Sequence, residues 1–476
     1  MKQTYTTIDY DWLICPTGDQ FADVGGYVIK YLSEKFPEKD ILELIEYMAD
    51  VYVKEWDGKI NTFFLNSSIT QPAFKGNVKI DETLKYFSSL LNEAASSETG
   101  YCRISGRKTK LFKAGRNNSI MTGSGTFVNF HHNFQEGVML SKEIIIRLFF
   151  VPFGVVSVGG KIAIIHSNIS DVNEYFIQQN CEKNIAFIGN RSEDGRGVLK
   201  SGYNIPVNAL FRFIDDLFVR EMGKFRNEKN LMLNLYHFTN FGASPEIVIY
   251  RLPVNVFRFY SSCKKDELRD DWQKFVFAHY RNSKFKNAKF NESTLQYEET
   301  KKKEIEKIGF DDYKTWRNIV LEKLLNNESL LILFLKWIKK HAINLTIIEL
   351  YLKEIRNMRK ETIEKIKELA AFLTDEDWAD DSTIKKTIKA LDGSNNAYEL
   401  RRFLLNRVVA NNYNMGTEKP IVTLDEYANY LFPDDVSWRD IRIVLLIAIY
   451  EQLHIKRIDV NKDGDLLELE EETTVE

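Results

Sequence analysis

Gly159-Gly160-Lys161-Ile162-Ala163-Ile164-Ile165-His166 decides how this chain is built. A glycine pair punctuates the chain, and the run behind it is short, apolar and rich in β-branched isoleucine, which predicts a buried strand. On either side the texture is helical. Asp171 to Ile188 and Val207 to Met222 carry apolar residues at helical spacing, as do Gln20 to Lys35, Asp40 to Lys54 and Asp81 to Ala95. Glu246 to Tyr260 holds Ile-Val-Ile-Tyr and Val-Phe-Arg-Phe-Tyr around Pro253, which predicts two strands meeting at a turn or an edge. A strand among helices makes this region mixed α+β.

From about Asp311 the pattern changes to helix after helix. Ile348, Leu352 and Ile355, then Ile363, Ile366, Leu369 and Leu373, keep one face apolar. Thr423-x-x-Glu426 and Ser437-x-x-Asp440 are capping-box patterns, and Pro433 stops the helix between them. No strand is expected after about Leu345. The fold class is therefore α+β, with a mixed domain over 1–340 and an all-α bundle over 341–476 that ends in an acidic tail.

With 476 residues, two domains are the natural expectation. A formal charge of −3, from 65 Lys+Arg against 68 Asp+Glu, excludes a uniformly basic nucleic-acid wrapper, so any such contact must come from local patches. Cys15, Cys102, Cys181 and Cys263 are scattered and form no disulfide framework, as in a reducing cytoplasm. The N-terminus lacks the apolar core of a signal peptide. The apolar runs at 144–158 and 443–450 are interrupted or too short for a membrane span of about 20 residues, so no membrane partner is expected.

Catalytic signatures are sparse. Gly154 to Lys161 has the wrong spacing for a P-loop, and Ile162 stands where its hydroxyl should be. Neither a Gly-x-Ser-x-Gly elbow nor a Gly-x-Gly-x-x-Gly turn after a strand occurs. His131, His132 and Glu136 could serve a metal-dependent nuclease, but adjacent histidines diverge and metal sites need convergent ligands. His166 closes an apolar strand and reads as a packing residue. Asp459, Asn461, Asp463, Asp465 and Glu470, with Gly464 between, fit the EF-hand calcium loop in form. That motif needs two flanking helices, and a solvated acidic tail is the plainer reading. We expect no enzyme and no cofactor.

Two stretches suit nucleic acid. Between Glu98 and Glu136 no acidic residue occurs, while Arg103, Arg107, Lys108, Lys110, Lys113 and Arg116 alternate with glycines, Asn117 and Asn118. Glycines let backbone approach phosphates, cations neutralise them, and Asn or Arg reads base edges. From Trp272 to Asn291, Lys274, Arg281, Lys284, Lys286 and Lys289 interleave with Phe275, Phe277, Tyr280, Phe285 and Phe290. This arrangement suits a strand or a duplex backbone, and equally a helix end whose aromatics are core. Lys385, Lys386, Lys389, Arg401, Arg402 and Arg407 give the bundle cationic faces, a weaker signal.

Thr17-Gly18-Asp19-Gln20-Phe21-Ala22-Asp23-Val24-Gly25 resembles the Thr-Gly-x-x-Phe-x-Asp-x-Gly opening of the large subunits of type I-B CRISPR surveillance (Cascade) complexes. Gly137-Val138-Met139-Leu140, Phe153-Gly154 and Gly159-Gly160-Lys161-Ile162 through His166-Ser167 resemble a further block of that family. Relatives carry two Cys-x-x-Cys pairs of a zinc knuckle. Here these positions read Cys102-x-x-Ser105-Gly106 and Ser141-x-x-Ile144, so the metal is expected to be lost.

The resemblance implies a non-catalytic subunit that inspects the protospacer-adjacent motif in double-stranded target DNA and helps open the duplex for R-loop formation. It implies partners: a guide RNA complex of backbone and handle-binding subunits, small subunits that the C-terminal bundle itself resembles, and a helicase-nuclease. Alternatives are the same subunit in a CRISPR-associated transposon, with a transposition protein as partner, a divergent metal-dependent nuclease, or a calcium-responsive helical adaptor. Motif reading is expected at Arg103 to Asn118, and phosphate contact at the 272–291 patch.

Overall fold

A computed structural model describes residues 1–94, 97–122, 137–190, 196–220, 231–240, 246–301, 304–309, 313–375, 377, 379–416, 419–434 and 436–458. It is α+β, with most of its strands in the N-terminal half and helices dominating the C-terminal half. The chain divides into two compact units, Met1–Val254 with Phe310–Arg317, and Asn255–Gly309 with Asn318–Glu476.

In the first unit Lys161–Ser167 is the central strand of a five-stranded sheet. The spatial order is Leu199–Lys200, Val156–Val158, Lys161–Ser167, Leu233–Thr239, Glu246–Leu252. All neighbours are antiparallel except the first pair. Val158 pairs with Lys161, so Gly159 and Gly160 alone form the hairpin turn, at φ +56° and +85°. Two successive positive φ values match the turn to the strand twist and favour glycine at both positions. The strand is a continuous apolar run because both its faces are covered: Ile162 through Ile165 are all buried.

Helix Gln20–Lys35 starts at Asp19, whose side chain accepts from the amides of Phe21 (3.0 Å) and Ala22 (2.8 Å). It packs on helix Lys142–Phe150 with almost no gap, since a Cβ on Gly25 would lie 1.8 Å from the Arg147 carbonyl oxygen. The fully buried Arg147 side chain ties this seam together. Nε donates to the Ala22 carbonyl (2.7 Å), Nη1 to those of Trp12 (3.1 Å) and Cys15 (2.7 Å), and Nη2 to Asp23 Oδ1 (2.8 Å). Asp23 also accepts from Thr17 N (2.7 Å), Thr17 Oγ1 (2.8 Å) and Gly18 N (2.9 Å). The Thr17 to Gly25 motif is thus a structural clasp: every buried polar group named here has a partner.

Two expectations need correction. After Pro253 the chain does not form a second strand but helix Val254–Cys263. Val256, Phe257, Tyr260 and Cys263 are buried at helical spacing, and packing of that face overrides the β-propensity of its residues. The division between units also falls at Val254 and not at 340. Phe259 packs edge-on against Trp272 (5.2 Å) and Tyr351 (5.7 Å), and Phe275 stacks on Phe334 (4.7 Å). One aromatic core therefore uses residues from both sides of the expected boundary. The second unit also contains the meander Lys289–Asn291, Gln296–Lys301 and Glu304–Ile308, all before residue 341, whereas every described element after 341 is helical, as expected.

Helices Lys360–Leu373 and Leu331–Ile338 pack around Trp438–Lys456, whose Ile443 to Tyr450 are all buried. Thr423 and Glu426 close the expected capping box. Ser437 caps the last helix by accepting from Arg439 N (3.3 Å), but Asp440 does not complete a box, because Arg356 holds its carboxylate at 2.7 Å. Among the described residues no helix is long and apolar enough to cross a membrane.

Candidate nucleic-acid interface

The start of the acid-free stretch, up to Ala114, folds as a hairpin in the first unit. Glu98–Tyr101 pairs antiparallel with the first half of Lys108–Ala114, and Val138–Leu140 pairs with its second half. The turn closes through Cys102 N to Arg107 O and Gly106 N to Cys102 O, both 2.9 Å, with Gly106 at φ +66°. Along the strand Lys108, Lys110 and Lys113 are exposed, while Leu111 and Phe112, adjacent and so on opposite faces, are both buried.

The structure sorts seven of the eight expected residues, all but Lys113, into two groups. Arg107 is engaged locally: its guanidinium pairs with Asp9 (2.6 Å) and lies 4.4 Å from the Trp12 ring centre. Lys110 pairs with Glu93, which Lys142 also holds at 2.6 Å. Hydrogen bonds from Lys110 and then Lys142 keep the Glu93 carboxyl below its usual range. Asn118 shapes the following turn, accepting from Gly115 N (2.8 Å) and donating to Tyr86 Oη (2.7 Å). By contrast, Arg103 and Lys108 are exposed and Arg116 half-exposed, and none makes an ion pair among the described residues. Exposed Asn117 lies at the rim of a pocket of about 240 Å³ walled by Phe64, Tyr86 and Phe87.

The 272–291 patch belongs to the second unit, and its aromatics do not form a stacking platform. Phe275 and Tyr280 are fully in the core, and Phe290 packs on Tyr297 (5.4 Å). Arg281 is engaged too, donating to the carbonyls of Ala278 (2.9 Å) and Tyr280 (2.8 Å). Lys274 is half-buried on helix Asp266–Phe277. Lys284, Lys286 and Lys289 remain exposed, without an ion pair among the described residues. Of the interleaved pattern, the three lysines stay available to a phosphate backbone.

In the bundle, Arg401 lies 4.9 Å from the Phe432 ring centre. Tyr398, Leu405, Val409 and Tyr413 on the same helical stretch are exposed. Sequence reading registered only the arginines, because an apolar residue at helical spacing is normally assigned to the core.

His131, His132 and Glu136 lie outside the described residues, as do Asp459, Asn461, Asp463, Asp465 and Glu470. His166 is half-exposed, 6.1 Å from the Tyr236 ring, and burial lowers its pKa. Among the described residues no cluster of three or more His, Cys, Asp or Glu could hold a metal ion. Cys102 Sγ instead accepts from Ser141 N at 3.3 Å. The fold thus joins the starts of the two segments where the resemblance places zinc ligands, through one weak hydrogen bond and packing. Comparisons with known protein families, with curated proteins and with solved structures find no match.

Proposed function

We propose that this chain is the non-catalytic large subunit of a type I-B RNA-guided CRISPR surveillance complex. In this reading it works in the cytoplasm, inspects the protospacer-adjacent motif in duplex DNA and supports R-loop opening. The observation that carries the reading is the hairpin: Arg103, Lys108 and Arg116 make no ion pair among the described residues and lie beside Asn117 and an open Gly106 turn, in a chain of net negative charge. Cations of this kind position a phosphate backbone, and Arg or Asn at a glycine turn reaches base edges. Lys284, Lys286 and Lys289 supply further backbone contact. Sequence matching is left to the guide RNA, and the protein contributes motif reading and charge.

The test is filter binding of target DNA by the assembled complex across a salt series. Alanine at Arg103, Lys108, Lys113 and Arg116 should weaken binding and reduce the salt slope by about 0.9 for each phosphate that is no longer neutralised. Unchanged affinity and slope would remove the hairpin from the interface. Co-purification separates the partners: a helicase-nuclease marks defence, a transposition protein marks transposon targeting, and absence of any guide RNA complex overturns the reading.

A further inference from the structure

A cleft of about 510 Å³ opens in the first unit between the five-stranded sheet and helices Ser170–Gly189 and Pro206–Arg220. Its volume lies in the range of small-molecule sites. The floor is the sheet, with Val156, Ala163 and Ile165. The facing wall is aromatic: Tyr175, Phe176 and Phe213, with the rings of Phe176 and Phe213 6.1 Å apart at 75°. A slot with an aliphatic floor and an aromatic wall selects a flat, apolar-faced group.

The mouth is different in character. Lys183 comes from helix Ser170–Gly189 and Lys200 from the sheet's edge strand Leu199–Lys200, both lining the cleft, exposed and without an ion pair among the described residues. Arg212 is there too, but Asp216 neutralises it at 3.1 Å. Among the described residues the mouth therefore carries two uncompensated positive charges. A phosphate monoester carries about −1.5 to −2 at neutral pH, whereas a phosphodiester carries only about −1. Asn180 donates its amide to the Gly154 carbonyl (2.9 Å), which leaves its oxygen as an acceptor for a base edge. Ser201 is held in place by its amide, which donates to the Ser157 carbonyl (2.8 Å).

From this arrangement we infer that the cleft binds a nucleoside monophosphate group, base against the aromatic wall and terminal phosphate between Lys183 and Lys200. The group is either a free nucleotide or the phosphorylated end of a strand. The site shares no residue with the hairpin, and the inference does not require the proposed assembly. Equilibrium dialysis of the full chain against each of the four common nucleoside 5′-monophosphates tests it. At least one should bind saturably, and both its nucleoside and inorganic phosphate should bind about tenfold or more weakly. Lys183→Ala with Lys200→Ala should weaken the monophosphate about tenfold and leave the nucleoside unchanged, whereas Phe213→Ala should weaken both. Competition by a 5′-phosphorylated oligonucleotide assigns the site to a strand end, and failure to compete assigns it to the free nucleotide. No saturable binding at millimolar concentration, or binding indifferent to the lysine substitutions, overturns the inference. Alanines at Arg103, Lys108, Lys113 and Arg116 should leave nucleotide binding intact, so the two proposals fail separately.

Discussion

Replacing Arg147 by methionine tests the clasp at the heart of the first unit. The substitution keeps an unbranched side chain in a fully buried position while deleting the charge and every donor. Asp23, 4% exposed, would keep its bonds from Thr17 and Gly18 but lose its counter-charge. The carbonyls of Ala22, Trp12 and Cys15 would lose the guanidinium as donor. Breaking a buried ion pair from one side costs roughly 3–5 kcal/mol, because the remaining charge stays desolvated. For a unit of this size each kcal/mol shifts the melting temperature by roughly 2–4 °C, so a fall of roughly 6–20 °C is expected. Scanning calorimetry reads the shift, and hydrogen exchange should place the lost protection on Gln20–Lys35 and Lys142–Phe150. A change within about 2 °C, with exchange on those helices unaltered, would refute the assignment of the clasp as a stabilising element.

His279 is buried and donates from Nδ1 to the Phe275 carbonyl (2.6 Å), and burial pushes its pKa down to about 4. A folded-state value below the unfolded one of about 6.5 means stability is full above pH 6.5 and falls towards pH 4, by about 2–3 kcal/mol. Melting temperature against pH should flatten over that window in His279→Gln, and an equally steep profile would show that another group is responsible. Ser105→Cys, Ser141→Cys and Ile144→Cys, combined with native Cys102, should bind one zinc ion per chain by atomic absorption if these positions retain knuckle geometry. No bound zinc would refute the resemblance at those positions. Lys108→Ala should reduce the salt slope of DNA binding without changing the melting temperature. Glu93→Gln should lower the melting temperature instead, since Lys142 is buried against that carboxylate. Of the four cysteines only Cys15 is exposed, and burial raises the thiol pKa of Cys181 and Cys263, so Ellman's reagent should titrate one fast thiol per native chain.

Periodicity carried most of the fold. The strand at 161–167 and the helices at 20–35, 170–189 and 360–373 are readable because long apolar patterns commit a segment to one period. Val254–Cys263 misled because its aromatic and β-branched residues suit strands locally, while the packing that turns them into a helix face comes from Trp272 and Tyr351. The boundary at 340 misled for the same reason: a core shared across sequence distance leaves no local mark. The candidate site was legible as composition but not as geometry. Arg103 and Lys110 look alike in the sequence, and only Glu93 and Lys142 show that Lys110 is held. The cleft walled by Phe176 and Phe213 gave no motif, because its lining comes from six separated segments.

The clasp also has a consequence in time. Its guanidinium lies 124 residues downstream of the carboxylate it meets. At synthesis rates of about 5–20 residues per second, Asp23 is added to the chain roughly 6–25 s before Arg147. Throughout that interval the acidic side chain has its local donors on Thr17 and Gly18 but no counter-charge. The nascent segment is therefore expected to depend on chaperone shelter, and slow codons placed between the two halves would lengthen that dependence.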